Sequence, residues 1–272
     1  MSHHGGVILD GRARLAQPVR RGTFDLLDEI ATILGTTKNA FWPFLESTGD
    51  RLVEIATGDR DLRSRDESGP VFLESEFSPY QHEGGVHSYY FDVAGNQHFQ
   101  GGSGAAFSFV DHALSVGCWC LALDLTSVAL VAKWNFASPA TREWVVWINA
   151  SNKFEYREYD ESVNAEIKRP SSASIVKGVW TFCVGTNNGG NDKDNINVYL
   201  NGSLDNGTAA ESGTFVKMEA LSVPVSIGAL NLTTTISNEF NGRIALPFVT
   251  GKELSDSEVG RIYQIGRELL GV

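Results

Sequence analysis

The rhythm of hydrophobic and polar positions changes near residue 40. Before it, "MSHHGGVILDGRARLAQPVRRG" has no core-forming period, and its Gly, Pro and Arg content reads as an extended arm. "TFDLLDEIATILG", residues 23–35, places Phe24, Leu27, Ile30, Ala31 and Leu34 at helical spacing, which predicts an amphipathic helix begun at Thr23 and stopped by Gly35. From about residue 40, short alternating runs are divided by Gly, Asn, Asp, Ser and Pro clusters, as in an antiparallel β-sandwich. Nine runs read as strands: 86–93, 114–123, 128–134, 143–150, 153–159, 179–185, 196–201, 223–229 and 241–249. The run 143–150 is apolar on both faces, which predicts a central strand covered on each side. Asn201-Gly202, after the alternating Ile196, Val198 and Leu200, supplies the two positive-φ residues of a type I′ hairpin. At the end of the chain, Ser255 followed by Glu258 forms a capping box for a helix carrying Val259, Ile262 and Tyr263 on one side. No internal repeat is present, and the change of pattern divides the chain into an arm with its helix, 1–38, and a β domain, 39–272.

Charge narrows the partners. A net charge of −11 argues against a general nucleic-acid footprint, which needs clustered Lys and Arg. The local exception is the arm, where Arg12, Arg14, Arg20 and Arg21 are opposed only by Asp10. No apolar run approaches the roughly 18 residues needed to cross a bilayer. Three cysteines, Cys118, Cys120 and Cys183, are too few for a disulfide framework and read as reduced core thiols. The first residues lack a charged n-region and apolar core, which predicts synthesis without secretory export and no glycosylation at Asn149, Asn201, Asn206 or Asn231.

The order of the β elements resembles a known family. "FSFVDHALSVGCWCLAL", "VALVAKW", "EWVVWINASNKFEY", "GVWTFCVGTN", "NVYLNG", "VSIGAL" and "FNGRIALPFVTGKELSDSEVGRIY" occur in the order of a laminin-G-like, concanavalin A-like jelly roll. Trp119, Lys133, Trp180, Asn201-Gly202, Gly228, Gly242 and Ser255 occupy the places that family uses. The resemblance covers about residues 86–266 and implies an all-β, antiparallel jelly-roll sandwich with a short C-terminal helix.

Glucanase relatives in the wider fold carry Glu-x-Asp-x-Glu on one strand, which sets two carboxyls on one face for glycoside hydrolysis. Here "REYDES" offers Glu158 and Asp160 with Ser162 third, and "LESEF" only Glu74 and Glu76; both read as solvated strand edges, and no catalytic residue is assigned. The six histidines show no ligand spacing, and no nucleophile motif appears. "NNGGNDKDN", 187–195, is the one oxygen-rich cluster: Asp192 and Asp194 could hold calcium, but the loop lacks the EF-hand Gly and Glu and needs no ion to explain it, so no cofactor is expected. Trp147, Tyr159 and Tyr199 are candidates for stacking on sugars, against the alternative of buried packing. For the arm, the alternatives are a disordered tail or a segment whose helix docks on a neighbouring subunit by Phe24, Leu27, Ile30 and Leu34, with Arg12, Arg14, Arg20 and Arg21 pairing with acidic surface.

These readings converge on a non-catalytic module. Together with the arm, they resemble bacteriophage virion proteins such as capsid decorations or tail-associated adhesins, assembled in the host cytoplasm as homo-oligomers among other protein subunits. The alternative is a glycan-binding lectin acting alone.

Overall fold

The computed structural model describes residues 22–48, 51–55, 61–66, 69–70, 77–101, 104–137, 140–231 and 235–272. Ten strands carry the architecture: β1 (His87–Phe91), β2 (Leu114–Ala122), β3 (Val128–Asn135), β4 (Thr141–Ile148), β5 (Phe154–Asp160), β6 (Ala165–Pro170), β7 (Thr181–Asn187), β8 (Ile196–Leu200), β9 (Val225–Ile227) and β10 (Gly242–Thr250). Every pairing is antiparallel. The first sheet runs Ser203–Leu204, β8, β7, β2, β10, β1, Tyr80–Gln81, with Ala40–Phe41 added beside β10. The second runs Ala210–Ser212, β6, β5, β4, β3, β9, His98–Gly101, Leu62–Asp66, Arg51–Leu52. Between them lies the main core, in which Cys118 and Cys120 of β2, Cys183 of β7 and Ile244 of β10 meet Trp144 and Val146 of β4, Tyr156 of β5 and Ile167 of β6. The three cysteines are free and buried, and burial pushes the Cys118 and Cys183 thiols well up.

The sequence signals with local causes are all present. Asn201 and Gly202 have φ of 51° and 79°, the left-handed pair that an Asn-Gly corner adopts at little cost. Ser255 and Glu258 form the reciprocal capping box of α2 (Asp256–Leu270), preceded in the chain by α1 (Thr23–Leu34). Two details differ. Thr23 does not cap α1; its hydroxyl donates to the Gly84 carbonyl at 2.9 Å. Strand β6 was not predicted, because Lys168, Arg169 and Pro170 mask the alternation of Ala165 and Ile167 toward the core.

α1 and α2 lie together on the outer face of the first sheet. Leu27, Ile30 and Leu34 of α1 and Val259, Ile262, Ile265 and Leu269 of α2 pack on Trp119, Phe182, Val184 and Phe248. Arg261 of α2 grips Glu29 of α1 through two bonds of 2.7 and 2.8 Å. This corrects the expectation that the apolar face of α1 docks on a neighbouring subunit. Leu27, Ile30 and Leu34 are buried within the same module, because the apolar Phe182 and Phe248 side of the sheet would face water without a cover, and of the four residues only Phe24 points outward at 62% exposure. Arg12, Arg14, Arg20 and Arg21 lie outside the described residues, as do Glu74 and Glu76. Among the described residues, no helix is long and apolar enough to cross a membrane.

The contact of α2 depends on one missing side chain. Trp119 stacks on Tyr263 at 5.4 Å between centroids, and the helix comes so close that a Cβ on Gly266 would lie 2.2 Å from Trp119 Nε1. Gly266→Ala is therefore expected to lower unfolding free energy by about 1–3 kcal/mol, the cost of overpacking a rigid contact. A urea titration followed by tryptophan fluorescence measures it; an unchanged midpoint would mean that the helix shifts freely on the sheet.

Candidate functional site

The second sheet has no helix on its outer face among the described residues, and that face is where aromatic and charged side chains collect. Two register shifts in the β3–β4 pairing, between Arg142 and Trp144 and between Val146 and Trp147, help decide which side chains reach it. The first bulge sends Glu143 inward beside Trp144 and leaves Arg142 outside. Alternation along β3, β4 and β5 then brings Trp134, Arg142, Val145, Trp147, Glu155, Arg157 and Tyr159 to one surface. The strand 143–150 has core on its inner face, and on its outer face Val145 is buried and Trp147 half-buried, covered by neighbouring side chains.

These side chains interleave. The Arg142 guanidinium lies 3.6 Å over the Tyr159 ring, Tyr159 meets Trp134 edge-on at 5.5 Å, and Arg157 sits between Trp134 at 6.0 Å and Trp147 at 4.7 Å. Carboxylates tie the guanidiniums in the plane of the sheet. Arg142 donates to both oxygens of Glu161 at 2.7 and 2.6 Å, and Arg157 bonds Glu155 at 2.8 Å and Glu166 at 3.1 Å. Glu155 also accepts from Trp147 Nε1 at 2.8 Å and Asn149 Nδ2 at 3.0 Å. Burial alone would raise its pKa, but the Arg157 charge and these hydrogen bonds outweigh burial and hold it below the ordinary value. Glu155 is thus a fixed anion.

Above this array lies a cavity of ≈ 210 Å³ lined by Trp134, Phe136, Arg142, Trp147, Arg157 and Asn238, among others. Its lining joins the apolar side chains of Trp134, Phe136, Val145, Trp147 and Leu230 to the polar groups of Arg142, Arg157 and Asn238. That combination suits a small ring with both a C–H face and hydroxyls. Larger grooves beside Tyr199 and Ser255 (≈ 520 Å³) and along Arg261 to Val272 (≈ 700 Å³) are more open to solvent and present no tryptophan.

Of the residues singled out from the sequence, the structure brings Trp147 and Tyr159 together and separates Tyr199 from them. Tyr199 lies on the first sheet near α2, is 2% exposed, and donates to Asp256 at 2.8 Å. Alternation along one strand does not say which sheet that strand joins. Asp192 caps the turn Lys193–Asn195 by accepting from the Asp194 amide, and Asp194 pairs with Arg169 at 3.1 Å. No group of three or more His, Cys, Asp or Glu that could hold a metal occurs among the described residues.

Glu158 and Asp160 are not solvated strand edges. Both point into the sandwich at 3% and 1% exposure, because β5 puts its even-numbered residues on the core side. Asp160 accepts from the amides of Val216 and Lys217, each at 3.1 Å. The residues that sequence reasoning missed are Trp134, Arg142 and Arg157. A signal was present in the paired pattern of Arg and aromatic residues on β4 and β5, but it needs the strand register to be read.

Residues 81–260 match the profile of a family described as the concanavalin A-like lectin/glucanases superfamily. No curated protein sequence matches the chain. Among solved structures, the binding domain of Paraclostridial Mosquitocidal Protein 1 is similar with a TM-score of 0.60 and 12% identity, over 85% of this chain and 52% of that one. Domain 4 of AbnA, a GH43 extracellular arabinanase from Geobacillus stearothermophilus solved with arabinotriose, gives 0.54 and 16% identity, over 83% of this chain and 97% of that one. The botulinum neurotoxin serotype D ligand binding domain, solved with N-acetylneuraminic acid, gives 0.53 and 14%, over 87% and 52%. This chain spans about half the length of the two toxin domains. At such identities the likeness is one of fold.

Proposed function

The chain belongs to the concanavalin A-like lectin/glucanase superfamily, and from that membership we propose that it is a non-catalytic glycan-binding module that binds on the outer face of its second sheet. The observation that carries this reading is the Arg142, Tyr159, Trp134, Arg157, Trp147 array beneath a ring-sized cavity, on the sheet face that no helix covers. Relatives of fold that were solved with arabinotriose and with N-acetylneuraminic acid support a saccharide as the ligand class. Glu155, Glu161 and Glu166 are each tied to a guanidinium, which supports binding over acid–base chemistry on this face.

A glycan array tests the proposal. Specific binding is expected, and Trp147→Ala should weaken it about tenfold or more, as removal of a central aromatic anchor does. Retention of full binding by that variant would move the site elsewhere.

As part of the same proposal, the module begins at α1, and the division drawn at residue 38 moves to the start of that helix. A place in a phage particle rests on the resemblance of a jelly-roll module joined to a basic arm. Light scattering of the full chain and of a chain begun at Gly22, which keeps α1, tests it: a defined oligomer that needs residues 1–21 would favour assembly over a free-standing lectin.

A further inference from the structure

Resting on the reading of this face as a glycan site, we infer that it selects uncharged saccharides and turns away those bearing carboxylate or sulfate. Two arginines beside a cavity would ordinarily suggest the opposite. Here both guanidiniums already have carboxylate partners through their terminal nitrogens, and Arg157 Nε alone is buried without an acceptor, a single N–H that a sugar hydroxyl can meet. Arg142 is held bidentately by Glu161, and Arg157 is shared between Glu155 and Glu166, the latter also bonded to Lys168. Three positive charges, those of Arg142, Arg157 and Lys168, face three negative ones, and the site closes electrically neutral.

An anionic ligand entering the cavity would have to displace one of these carboxylates or lie beside it. The first breaks charge-assisted hydrogen bonds of 2.6–2.8 Å, and the second sets like charges together in a partly desolvated place. The whole chain, at −11, adds a field of the same sign. An uncharged ring meets none of this. Its C–H face can lie on Trp147 and Phe136, and its hydroxyls can share the lone pairs and N–H groups left at the edges of the ion pairs. On this view the guanidiniums stiffen the aromatic lining and are positioning residues, while the carboxylates act against the wrong ligand.

The test uses the full chain and an array of neutral gluco-, galacto-, xylo- and arabino-oligosaccharides, each beside its uronate or sulfated form, with titration calorimetry on the hits. Neutral forms are expected to bind, with a Kd that changes less than about twofold between low salt and about 0.5 M, because no net charge is matched. Their acidic counterparts should bind about tenfold more weakly or not at all. In Glu166→Gln one carboxylate of Arg157 is lost, and the ratio of neutral to acidic affinity should narrow. Tighter, salt-sensitive binding of the acidic forms would overturn the selectivity and leave the glycan reading standing. If neither class binds, the glycan reading itself falls, and this inference with it. Neutral binding that survives Trp147→Ala would place the ligand off this face and overturn the inference as well.

Discussion

Replacing Lys133 with Met should lower the stability of the fold by about 3–5 kcal/mol, because it leaves a buried carboxylate with no cation. Lys133 of β3 and Glu143 of β4 are wholly buried and bonded at 2.6 Å. Lys133 Nζ also donates to the carbonyls of Leu221 at 2.6 Å and Val223 at 2.9 Å, and Glu143 accepts from Ser108 and from the Leu221 amide at 3.0 and 2.8 Å. The pair thus fastens the segment that leads into β9. Burial pulls the Lys133 pKa down and pushes that of Glu143 up, each opposed by the partner's charge. Without the lysine, the desolvation of Glu143 is opposed only by the hydrogen bonds from Ser108 and the Leu221 amide, and the carboxyl is driven toward its protonated form. Adding Glu143→Gln to Lys133→Met should therefore recover a good part of the loss, and chemical denaturation of the three variants measures it. A double variant no better than the single one would mean that the lost carbonyl contacts, not the stranded charge, set the cost.

The second large effect is in pH. Glu158 is fully buried on the core side of β5, and burial, opposed by hydrogen bonds from Tyr156 Oη at 2.5 Å and Asn187 Nδ2 at 2.9 Å, pushes its carboxyl up to about 7 from the ordinary 4.5. In the unfolded chain the same group loses its proton near 4.5. Between these values the folded chain binds more protons than the unfolded one, so the group's stabilisation, complete below 4.5, declines as pH rises and is lost above about 7. At about 1.4 kcal/mol per pH unit the loss is about 3 kcal/mol. Glu158→Gln should remove that slope and be the more stable of the two chains at pH 8. Burial also raises the carboxyls of Glu46 and Glu143 and lowers the imidazoles of His82 and His87, so the quantity to read is the difference between wild type and variant across pH 4 to 9 in denaturant titrations. An identical slope in both would show that Glu158 is already ionised at pH 5.

Much of the framework was legible because its causes are local. Asn201-Gly202 needs positive φ at two successive residues, Ser255 and Glu258 cap a helix within one turn, and the alternation around Cys118 and Cys120 marks a strand with one face in the core. Lys133, picked out only by its place in the family pattern, proved to be half of the buried pair. β6 was missed because three successive residues, Lys168 to Pro170, obscure a two-residue period.

By itself, the order of residues determined nine of the ten main strands, the hairpin, both helices and the jelly-roll class. Only the tertiary structure decided which faces are covered. Leu27, Ile30 and Leu34 make the same apolar stripe whether they meet a second subunit or their own sheet; their burial on Phe182 and Phe248 settles it. Trp147 and Tyr199 look alike along the chain, yet one joins the open face and the other lies near α2. Nothing along the chain singles out Arg142 and Arg157; bulges and register set them between Tyr159, Trp134 and Trp147. Periodicity records which side of a strand a residue takes. What stands on that side is fixed by pairings between distant segments, and no local spacing encodes it.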